Sequence, residues 1–233
     1  MLPLKDDVPS RNFALFTVLL IAANVAAFLY QMSLEMGASG PTHGAATAFV
    51  MEFGAVPCRL TGMCPGEDAP APLLTVFTSM FLHGGFFHVA GNMLYLWIFG
   101  DNVEDALGHF RFIVLYLLSG VGAALAQVVM SPESRIPMVG ASGAISGVLG
   151  AYLFLYPRAR ILTLLMFGFF FRFVHVPAVI VLGFWIVVQV FSGLISYSAA
   201  SHEGGVAWFA HIGGFVAGVL LLFLLRPRGS GRL

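Results

Sequence analysis

"VGASGAISGVLGAY", residues Val139–Tyr152, joins two long apolar runs, and how it is read decides the fold. It is as apolar as a membrane helix, yet Gly140, Gly143, Gly147 and Gly150 surround Ser142. Glycine is a poor helix former in water, and a bare hydroxyl gains nothing from lipid. The strip is therefore either a surface on which another helix packs closely, or a frame for a serine that reacts.

The rest of the chain supplies the membrane context. Of 233 residues, 59% are hydrophobic and only 9% charged, with mean hydropathy +0.92. A soluble domain carries roughly a quarter charged residues, so this chain cannot coat a water-facing surface. Its 11 basic and 11 acidic residues cancel, and no basic surface suggests a nucleic-acid partner. Crossing hydrocarbon takes about 20 apolar residues in a helix. Six runs qualify: Phe13–Met32, Phe77–Phe99, Phe110–Met130, Met138–Tyr156, Val176–Tyr197 and Val206–Leu225. They predict an all-α, polytopic bundle of six transmembrane helices forming one domain over residues 1–233. The segment "ILTLLMFGFFFRFV", 161–174, is too short for a span and is broken by Gly168, which suits an interfacial or re-entrant piece.

Charge placement decides between six spans and seven, because Arg and Lys accumulate on the cytoplasmic side. With six spans and both termini inside, nine basic residues face the cytoplasm and only Arg59 and Arg135 lie outside. A seventh span at 161–174 moves Arg172 and the three C-terminal arginines out and reverses that balance, so six is the reading. Lys5 and Arg11 before the first apolar run resemble a signal peptide, but the run exceeds a usual signal core and lacks a clean cleavage site. It is read as a retained helix. The long connection 33–74 falls outside and holds "PCRLTGMC". Cys58 and Cys64 are either bridged there or two free thiols, and two cysteines are too few for a structural zinc site.

Polar groups inside spans are costly and are functional candidates by default. The second run carries His83, His88 and Asn92, the fourth Ser142, and the sixth His211. Gly84–Gly85 should interrupt the second helix and start its regular part near Phe86. His88, Asn92, Ser142 and His211 then lie roughly 3 to 9 Å inward from the outer face at the helical rise. His88 and Asn92, four apart, project together. Ser142, Ser146 and Gly150 form one strip with Gly143 and Gly147 beside it, and His211, Gly214 and Gly218 form another. Small-xxx-small strips allow close helix approach, and docking these two brings His211 up to Ser142. Imidazole suits activation of a serine near neutral pH, and acyl transfer needs donors aimed at the developing oxyanion. His88, Asn92 and the Ser142 backbone N–H supply them. No intramembrane carboxylate is available to orient the base, and Glu203 is poorly placed, so the pair reads as a dyad. Each residue also has a plainer reading: the serine strip as packing surface, and the histidines as interhelical hydrogen-bonders. His83 takes that structural role outright. His43, His109, His175 and His202 fall in loops or at span ends. A haem or metal protein built on His83, His88 and His211, a channel, and a non-catalytic client binder are the competing classes. "GASGA" also misses the soluble hydrolase pattern G-x-S-x-G at its last position.

In order and spacing, "HGGFFHVAGN", "FGDNVEDALG", "GASGAISG" and "AHIGGFVAG" resemble the rhomboid family of intramembrane serine proteases over about 65–225. The resemblance implies that Ser142 is the nucleophile and His211 the base. It implies that His88 and Asn92 line the oxyanion site, and that Glu104 is structural near the inner end of the second span. No cofactor or metal is implied. Substrates would be single-span or other transmembrane proteins, entering laterally past 176–197 from surrounding lipid, with "SAASHEGG" as a cap. The expected location is the plasma membrane, with the site opening to its outer face. Two positions depart from the family pattern. Many relatives carry tyrosine four residues after the nucleophile, where this chain has Ser146, and the neighbouring glycines predict room for one. The Trp–Arg pair of the first outer loop is absent from 33–74.

Overall fold

A computed structural model describes residues 1–36, 44–64, 71–168, 170–198 and 206–226. The order is β1 (Leu2–Asp6), α1 (Leu15–Met36), α2 (Ala45–Phe53), α3 (Pro57–Thr61), α4 (Pro72–Thr78), a 3-10 turn Ser79–Phe81, α5 (Phe86–Leu107), α6 (His109–Met130), α7 (Ser142–Leu155), β2 (Arg160–Phe167), β3 (Phe170–Pro177), α8 (Ala178–Ser198) and α9 (Trp208–Leu225).

The protein is predominantly helical and membrane-integral. Helices α1, α6, α8 and α9 are each long and apolar enough to cross a bilayer. Helix α5 meets that measure together with Pro72–Phe81, from which it is bent by 82°. The second run is thus not one helix over 77–99. Its regular part begins at Phe86, after Gly84–Gly85, and continues to Leu107. Helix α7 is 14 residues long, or roughly 21 Å at 1.5 Å per residue, short of a bilayer core. Ala144 to Tyr152 are buried without a break, because α5, α6 and α9 all pack around it. A helix enclosed by protein need not match the lipid thickness.

Helix α7 also starts later than the apolar run, which begins at Met138. Met138 exchanges backbone hydrogen bonds with Ala55, and Gly140, at φ +119°, donates its N–H to Ser79 O. These contacts hold 138–140 in a non-helical path and make Ser142, after the cap residue Ala141, the first helical residue, not the fifth.

The bundle is not purely α. Residues 160–177 form a hairpin, β2 against β3, with Gly168 at its tip in the left-handed region (φ +60°). Antiparallel pairing of β1 with β2 completes a three-stranded sheet in the order β1-β2-β3. The 161–174 segment is therefore extended chain closed by backbone pairing, with exposed Phe170, Phe171 and Phe173. The sheet is tied to the bundle through Asp6, which accepts hydrogen bonds from Tyr152 Oη at 2.5 Å and Asn102 Nδ2 at 2.8 Å. Burial pushes the Asp6 carboxyl up to about 6; the Tyr152 bond opposes the rise, and the Asp101 and Asp7 carboxylates add to it.

The connection 33–74 contains α2 and α3, while its residues 37–43, with His43, and 65–70 lie outside the described set. So do 199–205 of the expected cap, with His202 and Glu203, and the C-terminal 227–233. Cys58 and Cys64 are joined in a disulfide, which closes the choice the spacing left open.

Candidate active site

Glycine packing sets the geometry of the site. A Cβ placed at Gly214 or Gly218 of α9 would fall onto the backbone carbonyls of Gly143 and Gly147 of α7. At Gly150 it would lie 2.6 Å from Phe215 O, and at Gly143 2.6 Å from the Ala123 methyl of α6. The backbones of α6, α7 and α9 approach to a distance only glycine permits.

His211 lies one turn N-terminal to Gly214–Phe215 on α9, and Ser142 opens α7 opposite it. Ser142 Oγ is 2.8 Å from His211 Nε2. On the other side of the ring, His211 Nδ1 is 2.7 Å from Gln189 Oε1 of α8. An amide oxygen only accepts, so this contact is a hydrogen bond in the tautomer with the proton on Nδ1, which leaves the Nε2 lone pair to accept from the serine hydroxyl. The rings of Trp185 and Trp208 flank the imidazole, with centroids 5.9 and 6.4 Å away.

The opposite wall comes from α5. His88 Nδ1 accepts from the Gly84 N–H at 3.3 Å, so His88 Nε2 is the ring's donor nitrogen in the neutral state. Asn92 is buried, and its Nδ2 has no hydrogen-bond partner among the described residues. Gly140 keeps the space between them open: a Cβ there would lie 2.8 Å from both Cε1 and Nε2 of His88 and 3.5 Å from Asn92 Nδ2. Ser142 adds its own N–H, one of the first four of a helix, which find no carbonyl within it. His88 and Asn92 thus line the same cavity as Ser142, which stands at the positive end of a helix, a setting that favours negative charge. Ser142, His211, His88, Asn92 and the two tryptophans line one cavity of about 1370 Å³, roofed by 131–139 and Pro57.

Other residues singled out from the sequence take different places, some against this cluster and some remote from it. His83 is buried with no partner for either ring nitrogen among the described residues; its ring meets His88 edge-on at 5.1 Å. Its backbone N–H and C=O pair with the Gln31 amide. Glu104 is buried at the far end of α5. It accepts from the Phe16 and Thr17 N–H groups and the Thr17 hydroxyl, so it caps the start of α1 and also meets His109 Nδ1 at 2.5 Å. Cys58 and Cys64 brace the cavity roof, where Cys58 N–H donates to Ser134 O and Thr61 Oγ1 to Pro132 O. Ser146 is fully buried, donates to Ser142 O at 2.6 Å, and borders the cavity that Trp185, beside His211, also lines. The room its neighbouring glycines suggested is taken up by Ser119 and α9.

Sequence reasoning passed over Gln189 and Trp185. A search for carboxylates missed the amide, although a polar side chain in a span is itself a signal. Trp185, four residues earlier, shares its face.

Comparison with known proteins bears on the family of the chain. A family model described as the Rhomboid domain matches residues 70–228. Rhomboid protein 1, mitochondrial, of Saccharomyces cerevisiae is 34% identical over 161 residues, covering 66% of this chain and 42% of that protein. RHOMBOID-like protein 1 of Arabidopsis thaliana is 35% identical over 155 residues, covering 66% and 35%. Rhomboid protease GluP of Bacillus subtilis is 36% identical over 146 residues, covering 63% and 25%. The chain spans less than half the length of each of these relatives.

Proposed function

The chain belongs to the rhomboid family, and from that premise we propose that it is an intramembrane serine protease that hydrolyses peptide bonds in or near transmembrane segments of other membrane proteins. The observation that carries the reading is the 2.8 Å approach of Ser142 Oγ to a His211 Nε2 whose other nitrogen is already engaged. In this scheme His211 takes the hydroxyl proton as Oγ attacks the scissile carbonyl carbon. The developing oxyanion is met by His88 Nε2–H, Asn92 Nδ2–H and the Ser142 N–H. His211 then protonates the leaving amine, and water from the cavity hydrolyses the acyl-enzyme by the same base. No cofactor or metal takes part.

In the membrane we propose six spans, with α5 and the enclosed α7 counted among them. Both termini are cytoplasmic, and the cavity opens to the outer face of the plasma membrane. The substrate comes laterally from lipid past α8. The nine-to-two distribution of basic residues supports this orientation. Reporter fusions after Arg111, Arg172 and Arg228 should read cytoplasmic and one near Cys58 outside; an outside reading at Arg228 overturns the topology.

The mechanism is tested by cleavage of a model single-span substrate in liposomes, together with labelling by a serine-directed fluorophosphonate. Ser142→Ala and His211→Ala should each lose orders of magnitude in rate, and the double variant little more, because such units are non-additive. Asn92→Ala and His88→Ala should each cost roughly 10²–10³. Retained cleavage in a folded Ser142→Ala variant refutes the protease reading at this site.

A further inference from the structure

Resting on the protease reading, we propose that Gln189 is a positioning residue for the base: its side-chain carbonyl selects the His211 tautomer that can accept the serine proton. Three observations place it. Gln189 is buried, 5% exposed, in a helix otherwise rich in lipid-facing aliphatic side chains. Its Oε1 is 2.7 Å from His211 Nδ1, and its Nε2 donates to Trp185 O, one turn earlier, at 3.4 Å. The second contact fixes which end of the amide faces the imidazole, since turning it over would set Oε1 against a carbonyl oxygen. Trp185, on the same face of α8, stands over the ring. Next along that face is Gly193, where a Cβ would come within 3.3 Å of Trp208.

The chemical consequence concerns a proton on one nitrogen. A neutral imidazole has one N–H. If it sits on Nε2, that nitrogen cannot accept from Ser142, and the serine stays a poor nucleophile. An acceptor held against Nδ1 draws the proton there and frees the Nε2 lone pair. In soluble hydrolases a buried carboxylate does this and also stabilises the imidazolium. A neutral amide does the first and only partly the second, and it avoids placing a full charge within a span. The base is therefore oriented from α8, the helix past which substrate is proposed to enter.

The test combines a spectroscopic readout that needs no turnover with kinetics. In full-length protein carrying 15N-labelled histidine, assigned with His211→Ala, the wild-type His211 signals should report the Nδ1–H tautomer. Gln189→Met, close in shape and without an acceptor, should move them toward a mixture or the Nε2–H form. In liposomes the same variant should lower kcat on the order of tenfold or more with KM unchanged, and Gln189→Glu, which restores an acceptor, should recover most of the rate. A purely structural role would lower thermal stability and leave the tautomer alone. An Nδ1–H signal unchanged in Gln189→Met, or undiminished kcat in that variant, overturns the proposal. Failure of the protease reading would show differently, as cleavage surviving in Ser142→Ala while the tautomer still follows Gln189.

Discussion

Gly140→Ala should separate catalysis from folding at this site. Gly140 has φ +119°, a region L side chains rarely adopt, and its N–H is committed to Ser79 O at 2.9 Å. Forcing alanine into that backbone costs about 1–3 kcal/mol. The new methyl would stand 2.8 Å from the His88 ring, so the ring must retreat by at least a few tenths of an ångström. It retreats from the space the oxyanion needs, and the methyl occupies part of that space, 3.5 Å from Asn92 Nδ2. Losing one oxyanion donor costs roughly 10²–10³ in kcat; a methyl that displaces one and crowds another should reach the upper end. Ser142 and His211 are not touched, so the expected signature is a collapse of kcat, little change in KM, and a thermal midpoint lowered by roughly 2–12 °C. Gly183→Ala on α8 is the matched control: nothing lies within 4 Å of its new methyl, and it should be neutral or slightly stabilising. Liposome cleavage and thermal melts of both variants decide it. A folded Gly140→Ala variant with near wild-type kcat refutes the assignment of this space to the oxyanion.

Three further outcomes are expected. Ser146→Tyr should lower cleavage sharply, because Trp185 already stands over His211, and Trp185→Ala should restore part of it; full activity in the single variant refutes the packing argument. Cys58→Ser should cost about 2 kcal/mol of stability, by the loop-closure estimate for so short a ring. Reductant should lower the wild-type melting midpoint by a similar amount and leave the variant unmoved; equal sensitivity in both would refute the role of the bridge. Docking of β1 should weaken as pH rises from 4 to 7: a carboxyl whose folded pKa is raised from 3.8 to about 6 gives its full stabilisation below 3.8 and loses it through 6. The group is partly exposed, so the loss is about 1 kcal/mol after solvent screening. Amide exchange of residues 2–6 should quicken over that window, and Asp6→Asn should abolish the trend; a flat wild-type profile refutes it.

Which features could be read in advance follows from the range of the interactions that create them. Apolar run length is a local property, and α1, α6, α8 and α9 begin and end within a few residues of their runs. The interruption at Gly84–Gly85 is local too, so the start of α5 was legible. The sheet was not. A short apolar run fits strand, buried helix or interfacial segment equally, and β2, besides its hairpin with β3, takes its third strand from β1, about 155–162 residues earlier in the chain. The late start of α7 was hidden for the same reason, since Met138 is held out of the helix by Ala55 and Gly140 by Ser79. Ser142, His211, His88 and Asn92 stood out as polar residues in apolar runs. Gln189 has that same character, but an amide is a less conspicuous partner for an imidazole than a carboxylate.

The two halves of the proposed Ser142–His211 pair are held differently. Ser142 stands on a helix enclosed by α5, α6 and α9, with its approach strand pinned by Ala55 and Ser79 at one end. At the other end Tyr152 is tied through Asp6 to the sheet. His211 is fixed in position by the glycine contacts of α9 on α7, but the orientation of its ring comes from Gln189 and Trp185 on α8. Beyond its first turns α8 buries only Gln189 and Gly193, and most of its other large side chains are exposed. Of the helices lining the cavity, α8 is thus the one packed least against its neighbours. In the proposed pair, the serine is thus held by the densely packed side of the bundle and the orientation of the imidazole by its loosely packed side.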